Sequence, residues 1–137
     1  MNTDFAAGQQ WAYRTRPGEE RSTLTVLKVE DYSLYGILVH ISVEDINMRA
    51  PASSKIVTEI KHFVLTETAL QQSVSQLIRI DAPLTNFDSE YVNWRNLFVK
   101  GKGKVFDIEV SEVINYFEAM ASLIYQDKNV QGENREP

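Results

Sequence analysis

The chain of 137 residues carries 14 basic and 19 acidic side chains, for a formal charge of -5 and a pI near 5.0, and it has no cysteine. A hydrophobic share of 43% at this length suits one globular domain, and the missing cysteine excludes disulfides, thiolate nucleophiles and cysteine-ligated zinc or iron–sulfur centres. The acidic balance disfavours nucleic acid, whose binding is driven by counterion release from phosphates, and the lack of a spanning apolar run or a basic-then-apolar leader predicts a cytoplasmic chain with no membrane partner.

WAYRTRPGEERSTLTVL, Trp11 to Leu27, predicts a β-hairpin. Pro17 presets the first turn position and Gly18 supplies a positive φ, so a loop over Pro17 to Glu20 sets Tyr13 opposite Leu24 and Trp11 opposite Val26. Arg14 then lies on the other side. Within the second strand, Ser22 to Glu30, the apolar alternation shifts phase once between Leu24/Val26 and Leu27/Val29, which predicts a bulge near Val26. From Gly36 the alternation is clean: Ile37, Val39, Ile41 and Val43 on one face, and Leu38, His40, Ser42 and Glu44 on the other. A fourth strand, Glu59 to Leu65, places Ile60, His62 and Val64 opposite Phe63 and Leu65. DINMRAPASSKIVT, Asp45 to Thr58, is expected to be a long connection between them, a kind of segment that is often functional or mobile.

Past Thr66, a plausible N-cap, the period becomes helical with Leu70, Val74, Leu77 and Ile78. DAPLTNFDS breaks it. Asp88 is expected to cap a second helix with Tyr91, Trp94, Leu97 and Phe98 along its apolar side and Gly101 at its end. Val105 to Val110 reads as a fifth strand, and Ser111 as the cap of a third helix with the stripe Val113, Phe117, Met120 and Ile124. Asp127 to Pro137 has a single apolar side chain and is expected to be a disordered tail behind a single domain of residues 1–126. The expected fold is α+β, an antiparallel sheet of about five strands with three helices packed on one face.

The candidate binding residues are Arg14, Arg16, Arg21, His40, Glu44 and His62. The three arginines, with Glu19 and Glu20, form a hairpin tip whose guanidinium forks suit an anionic group, although a solvated tip with surface ion pairs explains the same residues. His40 and His62 fall on strands able to pair, and with Glu44 nearby they offer nitrogen and oxygen ligands or acid and base roles near neutral pH. A shared ion requires nitrogens about 3–4 Å apart. No tight metal spacing is present, and the expectation is two structural histidines, no metal, no cofactor and no catalytic residue. KGKGK, Lys100 to Lys104, follows a helix instead of leading into one, so it fits a carboxyl-end cap better than a phosphate cradle. No serine sits in a nucleophile elbow, and Trp94, Tyr91 and Phe98 fit a core stripe better than an exposed hot spot.

Trp11, Tyr13, Arg16, Pro17, Glu19, Ser22 and Leu24 make the pattern W-x-Y-x-x-R-P-x-E-x-x-S-x-L, followed by VHI at Val39 to Ile41 and I-x-H at Ile60 to His62. Over roughly the first 80 residues this resembles a family of small uncharacterised bacterial proteins. The resemblance implies a bacterial origin and brings no activity with it. In that family the second histidine leads into a proline-containing turn, whereas here it leads into FVLTE. Two readings of function follow. The favoured one is a small protein-interaction module, immunity-like, whose acidic surface suits a basic protein partner. The alternative is a small-molecule- or metal-binding protein, or a hydrolytic enzyme, using the polar sheet face around His40 and His62.

Overall fold

The computed structural model describes residues 2–50 and 55–134, with side chains as far as residue 123. The elements are β1 (Gln10–Tyr13), β2 (Thr23–Tyr32), β3 (Gly36–Ala50), β4 (Lys55–Thr66), α1 (Glu67–Ser73), β5 (Val74–Arg79), α2 (Asp88–Phe98) and α3 (Val110–Asn134). The fold is α+β, as expected: five antiparallel strands in the order β4-β3-β2-β1-β5. Sequential hairpins build β1 to β4, and β5 returns to pair with the free edge of β1.

The first hairpin keeps its faces but not its register. Trp11 pairs with Leu24 and Gln10 with Thr25, two residues away from the expected partners. An even offset leaves every side chain on its own face, so Tyr13, Leu24 and Val26 are buried together with Trp11 packed against them. The connection is longer than four residues because its own bonds hold it: Arg16 C=O accepts from Glu19 N–H, Glu19 C=O from Ser22 N–H, and the Tyr13 and Ser22 hydroxyls bond at 2.7 Å.

The phase shift in β2 is a bulge. Val26 pairs with Ile41 and Lys28 with His40, which leaves Leu27 as the extra residue. Before it, Leu24 and Val26 share the face of Ile41 and Val43; after it, Val29 takes that face beside Val39, and Lys28 and Glu30 turn to the face of His40 and Leu38.

Three expectations give way to tertiary contacts. The segment Asp45 to Thr58 is not one long loop, because β3 continues to Ala50 and pairs Met48 with Val57, Arg49 with Ile56 and Ala50 with Lys55; residues 51–54 lie outside the described residues. Asp45, at φ 58, breaks the alternation, so that Ile46 and Met48 enter the core. The first helix, capped by Thr66 as expected, stops at Ser73, whose hydroxyl donates to Ala69 C=O and accepts from Val110 N–H. Val74 is already extended. The half-apolar run that follows pairs with β1, whose unpaired edge offers more bonds than two further helical turns. Val105 to Val110 makes only a single parallel bridge, Phe106 to Leu65, before α3 begins.

The helices do not share one face. Val39, Ile41, Val43, Phe63 and Leu65 face α1 and α3 through Leu70, Val110, Val113 and Ile114. On the other face Leu38 and Val64 bury against Trp94 of α2, with Tyr32, Tyr91 and Phe98 around them. The polar face expected to be open is therefore roofed by α2 over its β2–β4 end. The backbone of α3 is helical to Asn134, through most of the stretch expected as a tail.

One buried ion pair ties the hairpin loop to this frame. Glu19, 3% exposed, accepts from Arg16 Nε at 2.9 Å and Nη2 at 2.7 Å, and from Asn47 N–H at 2.7 Å. Arg16 also reaches Asn115 and Glu118 of α3. Glu19→Ala removes the bidentate partner of Arg16 and the acceptor of Asn47 N–H, and it leaves the longer contact to Glu118 as the guanidinium's only carboxylate pairing among the described residues. The substitution is therefore expected to cost about 3 kcal/mol in urea unfolding, whereas the exposed Arg14→Ala should cost less than about 1 kcal/mol.

Candidate functional site

The bulge at Leu27 and the clean alternation of β3 bring Glu30 and His40 to the same face, and β4 adds His62. His40, fully buried, is bonded at both nitrogens: Nε2 to Glu30 Oε1 at 2.7 Å and Nδ1 to His62 Nε2 at 2.8 Å. The imidazole planes are 21° apart, so the rings meet edge to edge through the hydrogen bond instead of stacking. Glu30 Oε2 accepts from the Tyr91 hydroxyl at 2.6 Å, and Arg95 lies 3.8 Å from it while also donating to Tyr32. Trp94 and Tyr91 stand edge-on to His40 with ring centres at 4.9 and 5.2 Å.

Charge and tautomer follow from these bonds. Burial alone would raise the Glu30 carboxyl, but hydrogen bonds from Tyr91, His40 and Tyr32 outweigh it and hold the group below its ordinary value. Burial and the Glu30 carboxylate push the Tyr91 hydroxyl up, which keeps it a donor. Burial lowers His40 despite the opposing pull of Glu30, and burial together with His40 pushes His62 down to about 4. At neutral pH both imidazoles are therefore uncharged beside an ionised Glu30. His40 then donates from Nε2 to the carboxylate and can only accept at Nδ1, which requires His62 to donate from Nε2. His62 Nδ1 is left as a lone-pair acceptor. It has no protein partner among the described residues, and no buried side-chain nitrogen or oxygen among them lacks one, so this nitrogen reaches solvent.

His62 lines a cleft of about 300 Å³ whose other walls are Phe63, Val64, Trp94, Lys104, Phe106, Tyr116 and Phe117. The cleft lies beside β4, where the chain returning from α2 makes a single parallel bridge to that strand, Phe106 to Leu65. The aromatic walls are held by mutual edge contacts, Phe106 with Tyr116 at 5.5 Å and with Phe117 at 5.6 Å.

Of the six residues singled out from sequence, His40 and His62 meet and the other four go elsewhere. Glu44 shares their sheet face but pairs across the ladder with Glu59, and Glu30 occupies the carboxylate role beside His40. Arg14 makes an exposed bond to Glu109, Arg16 is locked to Glu19, and Arg21 lies exposed beside the notch formed with Asp45 and Asn47. The N···N hydrogen bond uses the two nitrogens that a shared ion would need, and among the described residues no cluster of three or more candidate ligands is placed to hold a metal. Glu30, Tyr32, Tyr91 and Arg95 were missed. A signal for two of them was present, because the phase shift that predicted the bulge also turns Glu30 toward His40, and Arg95 follows Tyr91 by one helical turn. No helix among the described residues is long and apolar enough to cross a membrane. No family model, curated protein or solved structure matches the chain.

A stability profile tests the charge assignment. With the folded His62 near 4 against an ordinary 6.5, the unfolded chain binds more protons as the pH drops below about 6.5. The stabilisation is complete above that value and is lost as the pH falls toward 4, a decline to which the lowered His40 adds in the same direction. Urea unfolding stepped from pH 7.5 to pH 4 should record this loss, and His62→Gln should flatten it. An unchanged slope in the variant would remove His62 as its source.

Proposed function

We propose that the protein binds a small molecule in the aromatic cleft and moves a proton on it, with His62 as the acid–base group. The observation that supports this reading is the unbroken chain Glu30–His40–His62, with bonds of 2.7 and 2.8 Å, ending in a ring nitrogen with no protein partner among the described residues. His62 Nδ1 takes a proton from the substrate, and the imidazolium so formed keeps its Nε2–H directed at His40 Nδ1. Its positive charge is offset through His40 by the Glu30 carboxylate, which stays ionised and which Tyr91 and Arg95 hold in place. Reversal of the same steps returns the proton to another atom of the substrate, which is the chemistry of an isomerisation or an elimination. His40 and Glu30 position and charge-balance His62 and do not themselves touch substrate.

The test is hydrogen–deuterium exchange into a panel of small CH-acidic ketones and keto acids in D2O, followed by proton NMR. Exchange above the buffer rate is expected for at least one compound, with loss of about 100-fold or more in His62→Gln and a partial loss in Glu30→Gln. A panel exchanging only at the buffer rate counts against proton transfer.

A second reading, the immunity-like interaction module with a basic partner, draws support from β5. This strand ends the sheet and carries Leu77, Ile78 and, just beyond it, Ile80 at 40%, 48% and 69% exposure. Such an edge can accept a strand from another chain. Capture on the immobilised protein should then recover one basic protein, less at high salt and not at all on Ile78→Lys; capture unaffected by that substitution would reject β5 as the contact.

A further inference from the structure

Two groups on the cleft wall have no role in the proton chain. The first is Lys104. Its ammonium lies 4.8 Å from the centre of the Tyr116 ring and 5.5 Å from that of Phe106, and among the described residues no carboxylate pairs with it. Aromatic faces attract a cation but do not neutralise it, so the ammonium retains hydrogen-bonding capacity for an anion.

The second is the main-chain N–H of Val64. Val64 C=O accepts from Phe106 N–H and Thr66 N–H donates to Phe106 C=O, so at Val64 and Thr66 the peptide groups point away from β3. In an antiparallel ladder the N–H and C=O of one residue point the same way. Val64 N–H therefore also faces outward, on the side where the cleft lies. The next rung of a parallel pairing would join it to Lys104 C=O. That rung is not made, because the Lys104 carbonyl turns to accept from Trp94 Nε1 at 2.8 Å. A buried residue on the cleft wall thus offers a main-chain donor left over from an interrupted ladder.

From this geometry we infer that the cleft takes a small carboxylic acid, as its carboxylate, with an apolar ring or short alkyl body. The inference rests on reading the cleft as a ligand site. The carboxylate accepts from Lys104 and Val64 N–H, which are the donors it requires, and the body packs among Trp94, Phe106, Tyr116 and Phe117. A volume of about 300 Å³ accommodates one ring or a short chain. A cationic ligand would face the Lys104 charge, and a neutral one would leave it unmatched.

The experiment is titration of the intact protein with phenylacetate, phenylpropionate and hexanoate against phenylacetamide and hexylamine, followed by amide NMR. The expected result is saturable binding of the acids, with the Val64 amide proton moving downfield and the amide and amine binding at least about tenfold more weakly. Lys104→Met should lower acid affinity by roughly tenfold, while Lys102→Met leaves it unchanged. Equal binding of acids and neutral analogues, with shifts at Trp94 and Phe106 but none at Val64, would overturn the carboxylate and leave the cleft as a ligand site. Absence of any shift at cleft residues with all five compounds would overturn both. Tighter binding by a short acetylated peptide with a free phenylalanine carboxylate than by phenylpropionate would replace the free acid with a chain terminus as the ligand. Binding alone is read here, so the outcome does not depend on turnover.

Discussion

The extra residue at Leu27 changes which half of β2 faces which layer of the protein. Without it, Val26, Lys28 and Glu30 would share a face, and a lysine and a glutamate would be driven into the apolar layer under α1 and α3. With it, Val29 continues that layer and Glu30 moves across the sheet to His40. The apolar pattern thus has its energetic reason on one face, where Val29 gains burial, and its chemical consequence on the other.

That consequence is an ionised carboxylate and two imidazoles set among aromatic rings. Such groups are costly to desolvate unless every donor and acceptor is used. Here the described bonds satisfy them one after another, Tyr91 and His40 at Glu30 and Glu30 and His62 at His40, with the last nitrogen of His62 open to solvent. Because Tyr91 and Arg95 belong to α2, the same bonds fix how that helix sits on the sheet. Trp94 between them supplies the apolar contact to Leu38 and Val64 and covers the imidazole of His40. Packing and electrostatics therefore act on one helix through neighbouring turns, and a fully bonded polar chain rigidifies a layer that the apolar contacts alone would leave less specific.

The two ends of the sheet are treated differently. At β4 the edge is partly closed by Phe106, and the interruption of that closure at Lys104 is what leaves a cleft beside His62. At β5 the edge is open, with apolar side chains exposed on a short strand. Small, incomplete edge protection of this kind provides places where a compact domain can meet a ligand or another chain.

Local pattern determined much of this architecture: the clean faces of β3, the bulge in β2, the Thr66 cap, Gly101 behind α2 and the α+β class all follow from periodicity and turn chemistry within a few residues. The sequence also singled out His40 and His62 as a pair, because both alternate away from the core on strands that can be neighbours. Side-chain period and capping are properties of adjacent residues, so they are legible in one dimension. What competed across the fold was not. Val74 to Arg79 continues the helical stripe of Leu70, and only the vacant edge of β1 selected the strand. Asp45 to Thr58 lacked alternation because Asp45 turns the backbone in mid-strand, and only cross-strand pairing identified it as a hairpin arm. The partner of His40 was decided the same way: Glu44 is nearer along the chain, but Glu30 lies diagonally across the ladder and Tyr91 comes down on it from a helix sixty-one residues away, a proximity that exists only once α2 has docked.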